Sequence, residues 1–262
     1  MEEKLQEIKG IATNVIEQNN NKKIMYERNN IEQKSVKKLE TLIEKGDIDA
    51  INEMIKRYYK IRDYNRAIFY GEKLDNELLN SNFLLAICYF ERAENDDYIK
   101  AYKIFSYLAN EKNDDFAKSY LGKMYYLGLG IEKDFEKAYK YLIDGMIEDN
   151  YYIGRMFYYG EYVEKDINKA IEIFEKNIEE TQYDDNSVIM LAHIYFKQGM
   201  YEKAFETCNK IIYNIDKNQI NALQILGNLY ENGLYVNKDI NKAIDYYKRI
   251  IENSNDGCVL II

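Results

Sequence analysis

The stretch Leu121–Leu142, LGKMYYLGLGIEKDFEKAYKYL, decides how the rest of the chain is read. It opens and closes on apolar residues at helical spacing, with Gly128 and Gly130 between them. In a chain with 13 glycines and no proline, such a pair is strong punctuation. It poses a choice between a loop that cradles a phosphate and a turn between two packed helices.

Repetition settles the choice. YIGRMFYYGEYVEKDINKAIEIF from Tyr152 and ILGNLYENGLYVNKDINKAIDYY from Ile225 align with the stretch from Tyr120. Each has an apolar residue followed by glycine: Leu121-Gly122, Ile153-Gly154 and Leu226-Gly227. An aromatic (Tyr125, Phe157, Tyr230), a second glycine (Gly128, Gly160, Gly233) and Lys-Asp follow, then an alanine (Ala138, Ala170, Ala243). Three further segments keep the helix contents and shorten the connector: Tyr58 to Ala67, Tyr89 to Ala101 and Tyr195 to Ala204. Variable connectors between constant helices are the mark of surface loops.

The physics of one unit follows from its residues. Leu121 and Tyr125 lie four apart on one helical face. Gly122 gives up about 1 kcal/mol of helix propensity, which close approach of a partner helix offsets. Gly128 is expected to end the first helix in a left-handed cap, and Asp134 to cap the second. Ala138 and Tyr141 then face back to the first helix. One pair cannot bury its apolar face alone, but stacked pairs share a continuous core.

The pattern LGxxYxxGxGxxxDxxKAxxxY resembles the SEL-one-like repeat (SLR), a longer-looped relative of the tetratricopeptide repeat. The short-connector units resemble ordinary tetratricopeptide repeats. The resemblance runs from about Asp47 to Asn255 and implies an all-α fold. That fold is a right-handed α-solenoid of stacked antiparallel helix pairs, about six of them over residues 47–255. Met54-Ile55 and Leu85-Ala86 depart from the family's Leu-Gly.

The ends lack the full signature. Residues 1–46 carry one apolar face at Leu5, Ile8, Ala12, Val15 and Ile16, and a second at Val36, Leu39, Leu42 and Ile43. A helical cap over the first repeat and an arm for partner binding or self-association are both open. At the other end NDGCVLII resembles DDNSVIML, which precedes Ala192, so residues 256–262 read as the start of a further, truncated repeat helix. Its apolar residues fold onto Tyr246 and Ile250, or belong to a truncated unit, or meet a partner. Self-association through either end is compatible with these readings.

Charge and composition narrow the function. The 36 basic and 45 acidic residues leave a net charge of −9, which argues against nucleic acid or an anionic membrane as partner. No stretch approaches the roughly 18 apolar residues of a membrane span. The N-terminus has no apolar signal region, and Cys88, Cys208 and Cys258 are scattered, so a reducing, cytoplasmic setting is expected. The 27 tyrosines fit a codon bias shared with Lys, Ile and Asn, or an aromatic binding surface.

Chemistry is weakly represented. No GK[ST] follows the glycines, and Tyr162 and Tyr235 replace Gly130 in the sister units, so Gly130 reads as dispensable to the turn. The single histidine, His193, has no nucleophile placed beside it by a recognised motif. Asp134, Asp166 and Asp239 recur identically and read as caps. No catalytic residue, metal site or cofactor is expected. A hydrolase, discussed for some cysteine-rich SLR proteins, lacks its regular cysteine pairing here.

The resemblance implies that the first helices line a concave face, and that the position two after the Leu-Gly leucine points into it. There stand Lys56, Ile87, Lys123, Arg155, His193 and Asn228; three residues later come Tyr59, Phe90, Tyr126, Tyr158, Phe196 and Glu231. A basic row beside an aromatic row suits a peptide with acidic and apolar residues. The candidate peptide-binding residues are Lys56, Tyr59, Phe90, Lys123, Tyr126, Arg155, Tyr158, His193 and Phe196. Core aromatics and salt-bridged cations would give the same rows. The carboxylate clamp of some tetratricopeptide domains is incomplete here. A non-catalytic scaffold leads, with a peptide-sensing regulatory domain of ligand-dependent curvature as the alternative.

Overall fold

The computed structural model describes residues 35–75, 78–79, 82–94, 96–145, 151–181, 185–211 and 219–254. Residues 1–34, the greater part of the expected N-terminal cap or arm, and 256–262 lie outside the described residues. Among those described, every regular element is a helix. The chain divides into two compact units, Met1–Tyr107 and Leu108–Ile262.

The first unit contains α1 (35–43), α2 (Ile48–Lys60), α3 (Tyr64–Gly71) and α4 (Phe83–Arg92), and α5 (Asp97–Glu111) begins in it. Asp47, Asp63 and Asn82 cap α2, α3 and α4 by accepting from backbone N–H groups three residues on. Met54, Ile55, Ala67, Leu85, Tyr89 and Phe105 are buried between these helices. The α1 helix is tied to the next two by polar contacts: Arg57 Nη1 donates to Ser35 Oγ at 2.6 Å and Tyr70 Oη to Glu40 at 2.8 Å. Arg92 grips buried Asp97 with two bonds of 2.7 Å. Burial pushes the Asp97 carboxyl up, but those bonds outweigh it and hold it below the usual carboxylate range.

The second unit contains α6 (Asp115–Leu127), α7 (Phe135–Asp144), α8 (Tyr151–Tyr159), α9 (Ile167–Thr181), α10 (Asp185–Lys197), α11 (Tyr201–Asn209), α12 (Gln219–Asn232) and α13 (Ile240–Ser254). Consecutive helices pack as antiparallel pairs: α6 with α7, α8 with α9, α10 with α11, α12 with α13. Successive pairs then stack, as α9 on α10 and α11 on α12, and the core runs from one pair into the next.

Each long-connector pair closes on its glycine. A Cβ built on Gly122 would sit 2.6 Å from Leu142 Cγ and 3.0 Å from the Leu142 backbone nitrogen. Gly154 meets the Phe174 ring and Gly227 the Tyr247 ring at 2.7 and 2.5 Å in the same way. Asp134, Asp166 and Asp239 cap α7, α9 and α13, and Ala138, Ala170 and Ala243 are buried. Gly128 ends α6 at φ 73°.

The position of Gly130 is more constrained than its replacement by tyrosine implies. Gly130, Tyr162 and Tyr235 all have left-handed backbones, φ 70°, 65° and 66°. The turn demands that conformation in all three units, and two of them impose it on a bulky residue at some cost in strain. Ring contacts accompany it: Tyr162 with Tyr139 at 5.6 Å and Tyr235 with Phe205 at 5.7 Å.

The two shortest connectors share one geometry and divide its good residues between them. Arg62 and Gly199 occupy the same left-handed position, and each N–H donates to the carbonyl three residues back. Asp63 caps α3, whereas Met200 at the equivalent position of α11 makes no side-chain cap. The backbone angles of the two cap residues are similar.

Gly122→Ala should lower stability by about 1–3 kcal/mol in a denaturant melt, because the clash includes backbone that cannot rotate away. Arg62→Gly and Met200→Asp should each raise stability, by about 0.5–1 kcal/mol for the left-handed site and about 1 kcal/mol for the cap, read as higher melting temperatures.

Candidate functional site

The candidate residues fall on both units and are described within each. On α2, Lys56 is exposed and Tyr59 half-buried, its ring 6.3 Å from that of Tyr64. On α4, Phe90 is buried, with its ring 5.6 Å from Tyr98 and 6.5 Å from Phe105. It offers no face to a ligand: its place in the row reflects core packing.

In the second unit α6 supplies Lys123 and Tyr126, α8 supplies Arg155 and Tyr158, and α10 supplies His193 and Phe196. Tyr126 is buried at 3% exposure, packed on Phe135 and Tyr152 at 5.3 and 5.0 Å. Its hydroxyl donates to Glu161 Oε2 at 2.6 Å. Burial first, and the Glu161 bond second, push this phenol well above its ordinary pKa. Tyr126 is thus a core support beneath the site, not an exposed contact.

What it supports is Arg155. The guanidinium carbon lies 5.3, 5.7 and 5.4 Å from the ring centroids of Tyr126, Tyr151 and Tyr159. These faces stabilise a cation by cation–π attraction. The side chain is half-buried, and its Nε is buried without a hydrogen-bond partner. Among the described residues no carboxylate pairs with it, so the salt-bridge reading of the basic row does not apply to Arg155.

The set continues along neighbouring helices. Tyr158 meets Tyr159 at 4.8 Å and reaches across to His193 at 6.5 Å, with Lys165 Nζ 5.8 Å from its ring. Phe196 stands beside Tyr201 at 5.8 Å, and Lys123 Nζ is 5.9 Å from the Tyr152 ring. The structure therefore joins Arg155, Tyr158 and His193 through Tyr159. The basic and aromatic rows leave out Tyr151 and Tyr159. Their signal was present, because they stand four residues before and after Arg155 on one helical face.

Little here can perform covalent chemistry. The Cys88 and Cys208 thiols are buried and pushed up to about 12, far from the thiolate a nucleophile needs. Burial, with Lys197 nearby, holds His193 below its ordinary value. No group of three or more His, Cys, Asp or Glu among the described residues is arranged to hold a metal ion. No described helix is long and apolar enough to cross a membrane.

The Sel1 repeat model matches residues 116–143, 147–176 and 220–255. Each of these three segments is similar to the Sel1 repeat. They are the α6–α7, α8–α9 and α12–α13 pairs, all built on long connectors; the short-connector pairs are not among the matches. The fold is similar to that of a Sel1 repeat protein from Oxalobacter formigenes, with TM-score 0.59 and 22% identity over 78% of this chain and 85% of the other. It is equally similar, at TM-score 0.59 and 21% identity, to c5321, a protective antigen of uropathogenic Escherichia coli displaying an SLR fold. That match covers 83% of this chain, which spans only 48% of c5321. No curated protein sequence matches this one.

The His193 environment makes a pH prediction. Its folded-state pKa lies below the unfolded value of about 6.5, so the unfolded chain takes up the proton first as pH falls. Stability should be full above that value and decline as pH drops toward the folded pKa. His193→Gln should remove this component of a stability profile between pH 7 and 5, and the imidazole should titrate below 6.5 by NMR.

Proposed function

We propose that the chain is a non-catalytic scaffold that captures a protein or peptide through the Arg155 face of its second unit. The observation that carries this reading is Arg155 itself. In a protein of net charge −9, a half-buried guanidinium is ringed by tyrosines and, among the described residues, has no carboxylate paired with it. A half-buried cation without a counter-charge is costly, and a carboxylate from a partner would offset that cost. Tyr159, half exposed, and the half-buried Tyr158 and Phe196 supply adjoining apolar surface. Arg and Tyr are the residue types that dominate binding energy in protein interfaces. The ligand that fits is a segment carrying an acidic residue next to an aromatic or aliphatic one. Two buried free cysteines suit a reducing, cytoplasmic setting.

A test uses fluorescent peptides in which Asp or Glu is flanked by Phe or Leu, titrated against the full chain. The double variant Arg155→Ala/Tyr158→Ala should weaken capture at least about tenfold while circular dichroism is unchanged, and binding of the unaltered chain should weaken with salt. Peptides that bind the double variant as well as the unaltered chain would remove the site from this face.

A further inference from the structure

The two most exposed large apolar side chains among the described residues lie on one helical hairpin of the first unit. Ile61, at the end of α2, is 64% exposed, and Phe69, on α3, is 58% exposed. Both stand among cations. Residues 56–73 contain Lys56, Arg57, Lys60, Arg62, Arg66 and Lys73, against the acids Asp63 and Glu72. Asp63 caps α3 and pairs with Arg66 at 3.3 Å, and Glu72 is taken by Lys100 at 3.0 Å. Among the described residues no carboxylate is paired with Lys60, Arg62 or Lys73.

Rings hold two of these cations in place. The Arg66 guanidinium carbon lies 5.4 Å from the centroid of the Tyr58 ring, which stacks on Tyr70, and Lys73 Nζ lies 4.7 Å from that of Phe69. Arg62 is held at a cost. It has the left-handed backbone, φ 59°, that the equivalent short connector gives to Gly199. An arginine there is strained where glycine is not, yet it keeps a cation beside Ile61 at the hairpin tip.

We propose that this hairpin docks on an anionic lipid membrane, which it meets through Ile61, Phe69 and the Lys and Arg side chains around them. Charge and exposure together select this occupant. Ile61 stands between Lys60 and Arg62, and Phe69 between Arg66 and Lys73. Apolar side chains set apart in this way form no shared pocket for a protein hot spot. At a bilayer each enters the headgroup boundary by itself, while Lys and Arg reach the phosphates. The acidic excess that weighs against such a partner belongs to the other unit: 26 of the 45 acidic residues, but only 18 of the 36 basic ones, lie in 108–262. Anionic lipids are concentrated in the leaflet that faces the reducing compartment proposed above. The surface is independent of the Arg155 face.

Vesicles of phosphatidylcholine with about 30% phosphatidylserine, sedimented with the full chain, test this. The unaltered chain should co-sediment at low salt, be released as salt rises, and leave vesicles of phosphatidylcholine alone unbound. Ile61→Ser/Phe69→Ser should weaken binding at least about tenfold with circular dichroism unchanged. Arg62→Gly should weaken it roughly fivefold while raising the melting temperature, so that lost binding is not lost folding. Arg155→Ala/Tyr158→Ala should bind vesicles as the unaltered chain does. Failure of the unaltered chain to co-sediment, equal binding to neutral vesicles, or full binding by Ile61→Ser/Phe69→Ser would overturn the proposal. So would capture of acidic peptides that Ile61→Ser/Phe69→Ser abolishes in a chain that binds no vesicle, since the hairpin would then serve a protein partner.

Discussion

The contact on which the second unit depends is a glycine in one helix pressed against a large side chain from its partner. Gly122 meets Leu142, Gly154 meets the Phe174 ring and Gly227 the Tyr247 ring, each closer than any Cβ would allow. Everything else in the pair is placed by that approach. The connector must reverse the chain within the distance it sets, so left-handed residues appear at fixed points. The second helix must start at once, so an aspartate caps it. The alanine after the cap is buried because only a small residue fits beside the partner helix. The identity of the large residue varies among Leu, Phe and Tyr, because a ring or a branched chain can equally fill the space above a bare backbone.

Tyrosine is used throughout as a core residue with a polar tip. Tyr70, Tyr89, Tyr126, Tyr195 and Tyr247 each donate a hydroxyl hydrogen bond to a glutamate carboxylate, to Glu40, Glu72, Glu161, Glu175 and Glu231 respectively. The ring contributes buried area, and the hydroxyl satisfies its hydrogen bond at the edge of the core. This accounts for many of the tyrosines without a binding surface. It also marks Tyr159 as different: half exposed, it forms one wall around a guanidinium that has no acid partner among the described residues.

The repeat unit was legible in the sequence because its constraints are local. Helix faces, the Gly128 cap, the Asp134 cap and the close approach at Gly122 all follow from residues within one pair, and the structure has each of them. The Gly130 position was only half legible. Its replacement by tyrosine showed that the residue can change, but the left-handed backbone shared by Gly130, Tyr162 and Tyr235 is invisible in a list of residue types. The candidate rows were legible as rows, and misleading as surfaces at Phe90 and Tyr126.

What the sequence determined by itself is the helix pair and its recurrence, since spacing along one chain specifies which residues share a helical face and where helices stop. What only the tertiary structure decided is the fate of each side chain on that face. Residues three apart on α6 end differently, Lys123 half-buried and Tyr126 enclosed, because neighbouring helices cover one and leave the other partly open. The same holds for Arg155. Whether a cation finds a carboxylate depends on the elements packed around it, and around this one the fold places three rings instead.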